Sequence, residues 1–170
     1  MKRLEITEYK EDYEDYVSLI EETDIVSAMR KQLTEVENLF ASISEEKGEF
    51  AYAEGKWTIK ELLGHLINGE RVFSYRALRI SRGDKTPLAG FDQDLLTDNG
   101  NFNLISLADL IKEFSHLCQA NIIFFQNLND EAWSRTGTVN DNPVSVRALA
   151  YNMVNHVRHH TNILRSRYLL

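Results

Sequence analysis

Near the C-terminal end, Asn155-His156-Val157-Arg158-His159-His160 gathers three of the chain's five histidines, the side chains that most readily bind a metal ion or move a proton near neutral pH. On a helix, residues four apart point almost the same way. His156 and His160 would then stand one turn apart on one face, with His159 about 100° around from His160. Leu149, Met153, His156, His160 and Ile163 follow a 4-3-4-3 spacing that sets two imidazoles into an apolar stripe. Each buried ring nitrogen needs a partner or costs roughly 1–3 kcal/mol, so imidazoles here are either bonded within a core or bind something. Two histidines at i and i+4 make a metal clamp, and a third from another helix completes a three-ligand site with positions open for water or substrate. His65 supplies that third ligand, on a stripe of Leu62, His65, Leu66, Gly69, Val72, Phe73 and Arg76. Any one of the three alone reads as a core histidine; together they favour a metal. A purely structural role, or haem held by the same imidazoles, remains open from the residues alone.

Other reactive side chains are weaker signals. His159 is off the stripe, either a rim acid–base beside the ligands or a solvated surface group. His116 falls between apolar positions of its helix and is expected to be exposed. Cys118, the single cysteine, excludes an internal disulfide and a cysteine-based zinc site, so any metal rests on imidazole and carboxylate, and the thiol reads as a small buried hydrophobe. Asp92 and Asp94 lie in a long loop, where they could orient an imidazole, accept a proton or stabilise a turn. Trp57 and Trp133 stand where connections meet helices and read as packing anchors. No Ser- or Cys-based nucleophile motif is present.

Four helices are needed to position these groups. Apolar residues from Tyr16 to Ile43 recur at three- and four-residue intervals and predict a first helix over about 13–43, with a possible break at Thr23-Asp24. The acidic run Glu8, Glu11, Asp12, Glu14, Asp15 reads as its solvated first turn. Thr58-Ile59-Lys60-Glu61 matches a capping box and starts a second helix that ends near Arg82-Gly83. Ser106 caps a third, carrying Leu107, Leu110, Ile111, Phe114, Leu117, Asn121, Phe124, Phe125 and Leu128. Ser145 caps a fourth that runs to about Arg167. The connection from Gly83 to Ile105 is long enough to imply a role and is placed over one end of the bundle, at the rim of the metal position. No period-2 stretch demands a strand. The expectation is one all-α domain over residues 1–170, a four-helix bundle with long loops whose order the sequence leaves open.

A net charge of −7 disfavours nucleic acid and anionic membranes as partners. No stretch reaches the apolar length of a membrane span, and Met1 to Glu11 lacks the apolar core of a signal peptide, so a soluble, cytoplasmic protein is expected.

Several of these motifs together resemble the DinB/YfiT-like four-helix bundle family: Trp57-Thr58-Ile59-Lys60-Glu61, Gly64-His65-Leu66 with Glu70, Gly90-Phe91-Asp92-Gln93-Asp94, Ser145-Val146-Arg147-Ala148-Leu149, and His156 with His159-His160. The resemblance implies a divalent metal, nickel or zinc, on one histidine of the second helix and two of the fourth, which map onto His65, His156 and His160. It also implies thiol S-transferase or isomerase chemistry with a low-molecular-weight thiol such as bacillithiol or mycothiol and a small electrophile. A metal-dependent hydrolase is the alternative. Homodimerisation is implied as well, aided by the adjacent Phe124 and Phe125, which cannot both face one seam. Two departures, Asn162-Ile163-Leu164 after the last histidines and Asn68-Gly69 before Glu70, bear on substrate identity rather than on the metal triad.

Overall fold

The structure is a computed structural model that describes residues 24–169. The part of the first predicted helix that precedes Asp24, with its acidic run, lies outside the described residues. At Asp24 the predicted break is a helix start: its carboxylate accepts a hydrogen bond from the Ser27 amide at 2.9 Å and caps α1, Ile25–Ala41. The second helix, α2, spans Ile59–Ser81. Thr58 and Glu61 form the full capping box, each side chain accepting from the other's backbone amide at 3.1 and 2.8 Å. It closes at Gly83 (φ +84°), where the Asp84 amide reaches the Arg79 carbonyl and the Gly83 amide that of Ile80, a Schellman ending that needs a left-handed residue.

The long loop that follows is not structureless. It holds the short α3, Gln93–Asp98, and a 3-10 turn at Phe102–Leu104. Phe102 fastens it to the bundle, because a Cβ on Gly64 would fall 2.3 Å from the Phe102 ring, so the ring lies directly on the α2 backbone one residue before His65. Helix α4 runs Leu107–Gln126 from its Ser106 cap, and α5 is the single turn Asp130–Ser134. Sequence periodicity shows no strand, yet a hairpin is present: β1, Thr136–Val139, pairs antiparallel with β2, Asn142–Ser145. Four-residue strands are too short for alternation to register. The signal that exists is the turn pair Asn140-Asp141, both at positive φ (47° and 61°), as a two-residue hairpin loop requires. Leu88 bridges onto Val139 and ties the long loop to this hairpin. Helix α6, Val146–Ile163, begins at the predicted Ser145 cap, and its last turn widens into a π turn over Leu164–Tyr168.

Packing decides the order that the sequence leaves open. Helix α2 lies against α6 and α4, and α1 closes the ring against α4 and α6, so the consecutive helices α1 and α2 sit diagonally. Arg71 pairs with Glu113 and Arg82 covers Phe124, eleven residues further along both helices, so α2 and α4 run parallel. The His65–His160 and Gly69–His156 contacts make α2 and α6 antiparallel. The core between them includes the fully buried Phe40, Leu63, Leu66, Leu110, Phe114, Phe125 and Met153. Trp133 stacks on Phe125, with ring centroids 5.4 Å apart, as a packing anchor.

Candidate metal centre

Antiparallel packing of α2 on α6 brings together the three histidines that periodicity placed on their inner stripes. His65 Nε2 stands 2.8 Å from His156 Nε2 and 3.1 Å from His160 Nε2. Among the described residues this trio is the group of His, Cys, Asp and Glu side chains arranged to hold a metal ion. The donor set fits one. A neutral imidazole nitrogen at the focus of three rings is either a lone pair or a single N–H, so three such atoms cannot satisfy one another, whereas a cation accepts all three lone pairs. Two nitrogen ligands on a tetrahedral ion at about 2.0–2.1 Å are held about 3.3 Å apart, so a spread of a few tenths of an ångström would accommodate the ion. Burial keeps the rings in the neutral, ligating form. It pushes His65 down to about 4, the Asp94 charge opposing and that of His159 assisting. The same cause, aided by the neighbouring histidines, takes His160 to about 3 and His156 well below its ordinary value.

Two neighbours set the rings in place. The Trp57 indole stacks on His65, centroids 4.6 Å apart and planes at 32°. Tyr168, at the end of the π turn, donates to the Trp57 carbonyl at 2.8 Å and so locks the chain entering α2 to the C-terminal turn. On the other side, the His156 ring fits only because residue 69 is glycine: a Cβ there would lie 2.8 Å from His156 Cε1. Gly69 therefore forms the seat of a candidate ligand.

The triad opens onto a cleft of about 810 Å³. Phe73, Phe91, Val139, Pro143, Val144 and Leu149 give it apolar walls, while Arg76, Gln93, Asn140, Asn142, Asn152 and His159 give it polar ones. His159 is exposed at this rim, its ring centroid 5.0 Å from that of His160. Asp94 is also exposed, and its charge is felt at His65. Like Asp94, Asp92 does not line the cleft. Its carboxylate accepts from the Asp94 and Leu95 amides, each at 3.0 Å, and caps α3. His116 is exposed, as expected. Sequence reasoning did not mark Arg76, the hairpin asparagines or Asn152 as parts of a site. Arg76 showed one signal, a cation on an otherwise apolar stripe; the asparagines showed none, because they come to the cleft only through the hairpin.

Below the triad lies a second polar inclusion. Glu70, 5% exposed, accepts from Asn121 Nδ2 at 2.7 Å and bonds the Cys118 thiol beside a hole of about 20 Å³. Desolvation pushes the Glu70 carboxyl up to about 7 and the Cys118 thiol, which also faces Glu70, far above its ordinary value. Such a thiol is inert, in keeping with the structural reading of Cys118.

A four-helix bundle with three convergent imidazoles at the floor of a lateral cleft defines a class of metal-site helical bundles. The sequence matches the DinB superfamily over residues 28–164, and the chain belongs to that superfamily. No match was found among curated proteins. Among solved structures, YfiT from Bacillus subtilis, described as a probable metal-dependent hydrolase with an unusual four-helix bundle topology, superposes with a TM-score of 0.68 at 13% identity, covering 83% of this chain and 84% of that one. A mycothiol-dependent maleylpyruvate isomerase does so with a TM-score of 0.68 at 14% identity over 81% of this chain. This chain spans 58% of that isomerase's length. At such identities the likeness is one of fold.

Proposed function

We propose that the chain is a metal-dependent enzyme in which His65, His156 and His160 hold a divalent ion, nickel or zinc, and that it transfers a low-molecular-weight thiol to a small electrophile. The observation that carries this reading is the convergence of three neutral Nε2 atoms at the floor of an open cleft. A divalent ion bound there would supply deprotonation of a coordinated thiol, or of water in a hydrolase. In thiol transfer the S–H bond breaks, a C–S bond forms at the electrophilic carbon and the displaced group departs. His159, solvent-facing beside His160, would take up the thiol proton and pass it to water, and Asp94 would add a negative charge near the triad that is felt at His65. Phe73, Phe91 and Leu149 wall the reacting centre from bulk water. Asp92 contributes through the shape of α3.

Hydrolysis at the same ion is the second reading, supported by the description of YfiT. The protein is further proposed to act as a cytoplasmic homodimer with no nucleic-acid or membrane partner. Among the described residues no helix is long and apolar enough to cross a membrane, and Tyr75, Leu78 and Ile123 expose apolar surface on α2 and α4 that a second copy would cover. Elemental analysis of protein purified without a polyhistidine tag, followed by turnover assays on an activated aryl halide and an aryl ester with and without thiol, tests the proposal. Stoichiometric metal with thiol-dependent turnover is the expected result. Metal with thiol-independent ester cleavage would favour the hydrolase, and metal with neither would leave a structural ion tying α2 to α6. A single species of about 20 kDa by light scattering at micromolar concentration would exclude the dimer.

A further inference from the structure

Three residues after Leu88 joins the hairpin, the long loop presents Phe91 to the cleft, 37% exposed. A lone exposed phenylalanine on a loose loop is ordinary, but the backbone around this one is held residue by residue. The Leu88 amide donates to the Thr138 carbonyl and its carbonyl accepts from the Asn140 amide, each at 2.9 Å. The Ala89 carbonyl accepts from Arg76 Nη2 at 2.8 Å. At Gly90 a Cβ would lie 2.9 Å from Asn140 Oδ1, so the hairpin turn rests directly on the loop backbone. Asp92 then caps α3. The ring itself is held as well. The Arg76 guanidinium lies 5.3 Å from its centroid, within cation–π range, and the Phe73 ring stands edge-on to it, with centroids 6.3 Å apart and planes at 69°. Phe73 meets His156 edge-on in turn, at 5.4 Å and 86°. An aromatic wall therefore runs without a break from a candidate metal ligand, through the buried Phe73, to the exposed Phe91. The hairpin adds Val139, Pro143 and Val144 to the same cleft as aliphatic surface.

We propose that Phe91, backed by Phe73, forms an aryl subsite in this cleft and is its specificity-determining residue, so that the electrophile is an aromatic one. The inference rests on the proposed metal and thiol reading of the triad and adds the chemical class of the electrophile. A ligand ring set edge-on or offset against a fixed ring gains from the two quadrupoles beyond the area it buries, about two- to tenfold in affinity, whereas a saturated ring of the same size gains from area alone. Because Phe91 is already held, binding does not have to order it. An aryl group on this wall lies beside His156, where a thiolate on the proposed ion would meet it. Attack at a ring carbon that bears a leaving group forms the C–S bond and expels that group with its electron pair, and no further reactant is needed.

The probes are benzamide and cyclohexanecarboxamide, both neutral, without a leaving group and unreactive towards thiols, titrated into the isotope-labelled full chain while its amide resonances are followed by NMR. Benzamide is expected to bind at least about threefold tighter, with shifts centred on Phe73 and Phe91. The saturated ring is the more apolar of the two, so burial of area alone would give the opposite order. The ratio should fall towards one in Phe91→Leu, which keeps apolar bulk without the ring, and persist in Phe91→Tyr. Equal wild-type affinities, or tighter binding of the saturated ring, overturn the inference while leaving the metal and thiol reading standing. A ratio retained in Phe91→Leu with unchanged circular dichroism and metal content overturns the assignment to Phe91. If Phe91→Leu does not fold, the wild-type shifts decide, and shifts that leave Phe73 and Phe91 untouched overturn it equally. Benzamide binding needs no ion, so absence of metal or of thiol-dependent turnover overturns the proposed function independently of this ratio.

Discussion

Helix α2 carries two buried polar inclusions about one turn apart, and they have opposite characters. Glu70 meets Asn121 and the Cys118 thiol beside a hole that would hold about one water molecule. His65 meets two more imidazoles at the floor of a cleft of about 810 Å³. Both contain donor atoms a metal could use. Partner chemistry and access separate them: a neutral carboxyl, an amide and a thiol satisfy one another, while three imidazole nitrogens facing one point do not. Burial of a polar group therefore does not mark a site; burial with like atoms converging on open space does.

Breaking the triad should have the largest effect. His65→Ala, His156→Ala and His160→Ala are each expected to abolish stoichiometric metal binding, read by elemental analysis after dialysis, and His159→Ala to leave it largely intact. Loss of metal in His159→Ala with retention in His160→Ala would show that the clamp uses the other histidine.

The two inclusions should also titrate with opposite sign in the metal-free protein. Glu70, raised from 4.5 to about 7 by burial, keeps its proton in the fold while the unfolded chain loses it. Its contribution is most favourable below pH 4.5 and weakens as pH rises to about 7, by roughly 3 kcal/mol in all. His65, lowered from 6.5 to about 4, works the other way, contributing stability that is complete above pH 6.5 and lost as pH falls through about 4. The two windows overlap, so in urea unfolding the opposing slopes offset each other between about pH 4.5 and 6.5, and Glu70→Gln should make stability rise more steeply with pH across that range. An unchanged slope in that variant would mean that Glu70 is ionised in the fold.

Gly69→Ala sharpens the comparison at one atom. The new Cβ, 2.8 Å from His156 Cε1, would force the ring aside, weakening metal binding about 10–100-fold as misoriented ligands do while costing about 1–3 kcal/mol for the overpacked contact. Equal metal affinity by competition with a chelator would show that the seat is not tight. The smallest effects belong to the loop acids. Asp92→Asn should cost no more than about 1 kcal/mol and raise hydrogen exchange over 88–98, because it weakens the α3 cap. Asp94→Asn should leave exchange unchanged and lower thiol-dependent turnover. The reverse pattern would exchange their roles.

Legibility followed the range of the interactions involved. The Thr58, Ser106 and Ser145 caps are bonds between residues three apart, and each was readable as a short motif. His65, His156 and His160 were readable because helical periodicity gives the face each residue occupies, and three imidazoles on apolar faces are costly unless they meet. Less was visible where partners lie far apart in the chain: the hairpin that carries Asn140 to the cleft, the diagonal placement of α1 and α2, and the Glu70–Asn121 bond across fifty-one positions.

From its own residues the sequence determined an all-α bundle, the helix starts and the three histidines, since caps and 3.6-residue periodicity act within a few residues of one another. Only the tertiary structure decided that α2 and α6 run antiparallel with their imidazoles at one level, and that Gly69 gives way to His156. The same packing decided that Arg76, the hairpin and the long loop enclose one cleft. Those facts depend on which apolar faces pair and at what register, a choice made by the whole core at once rather than by any local segment.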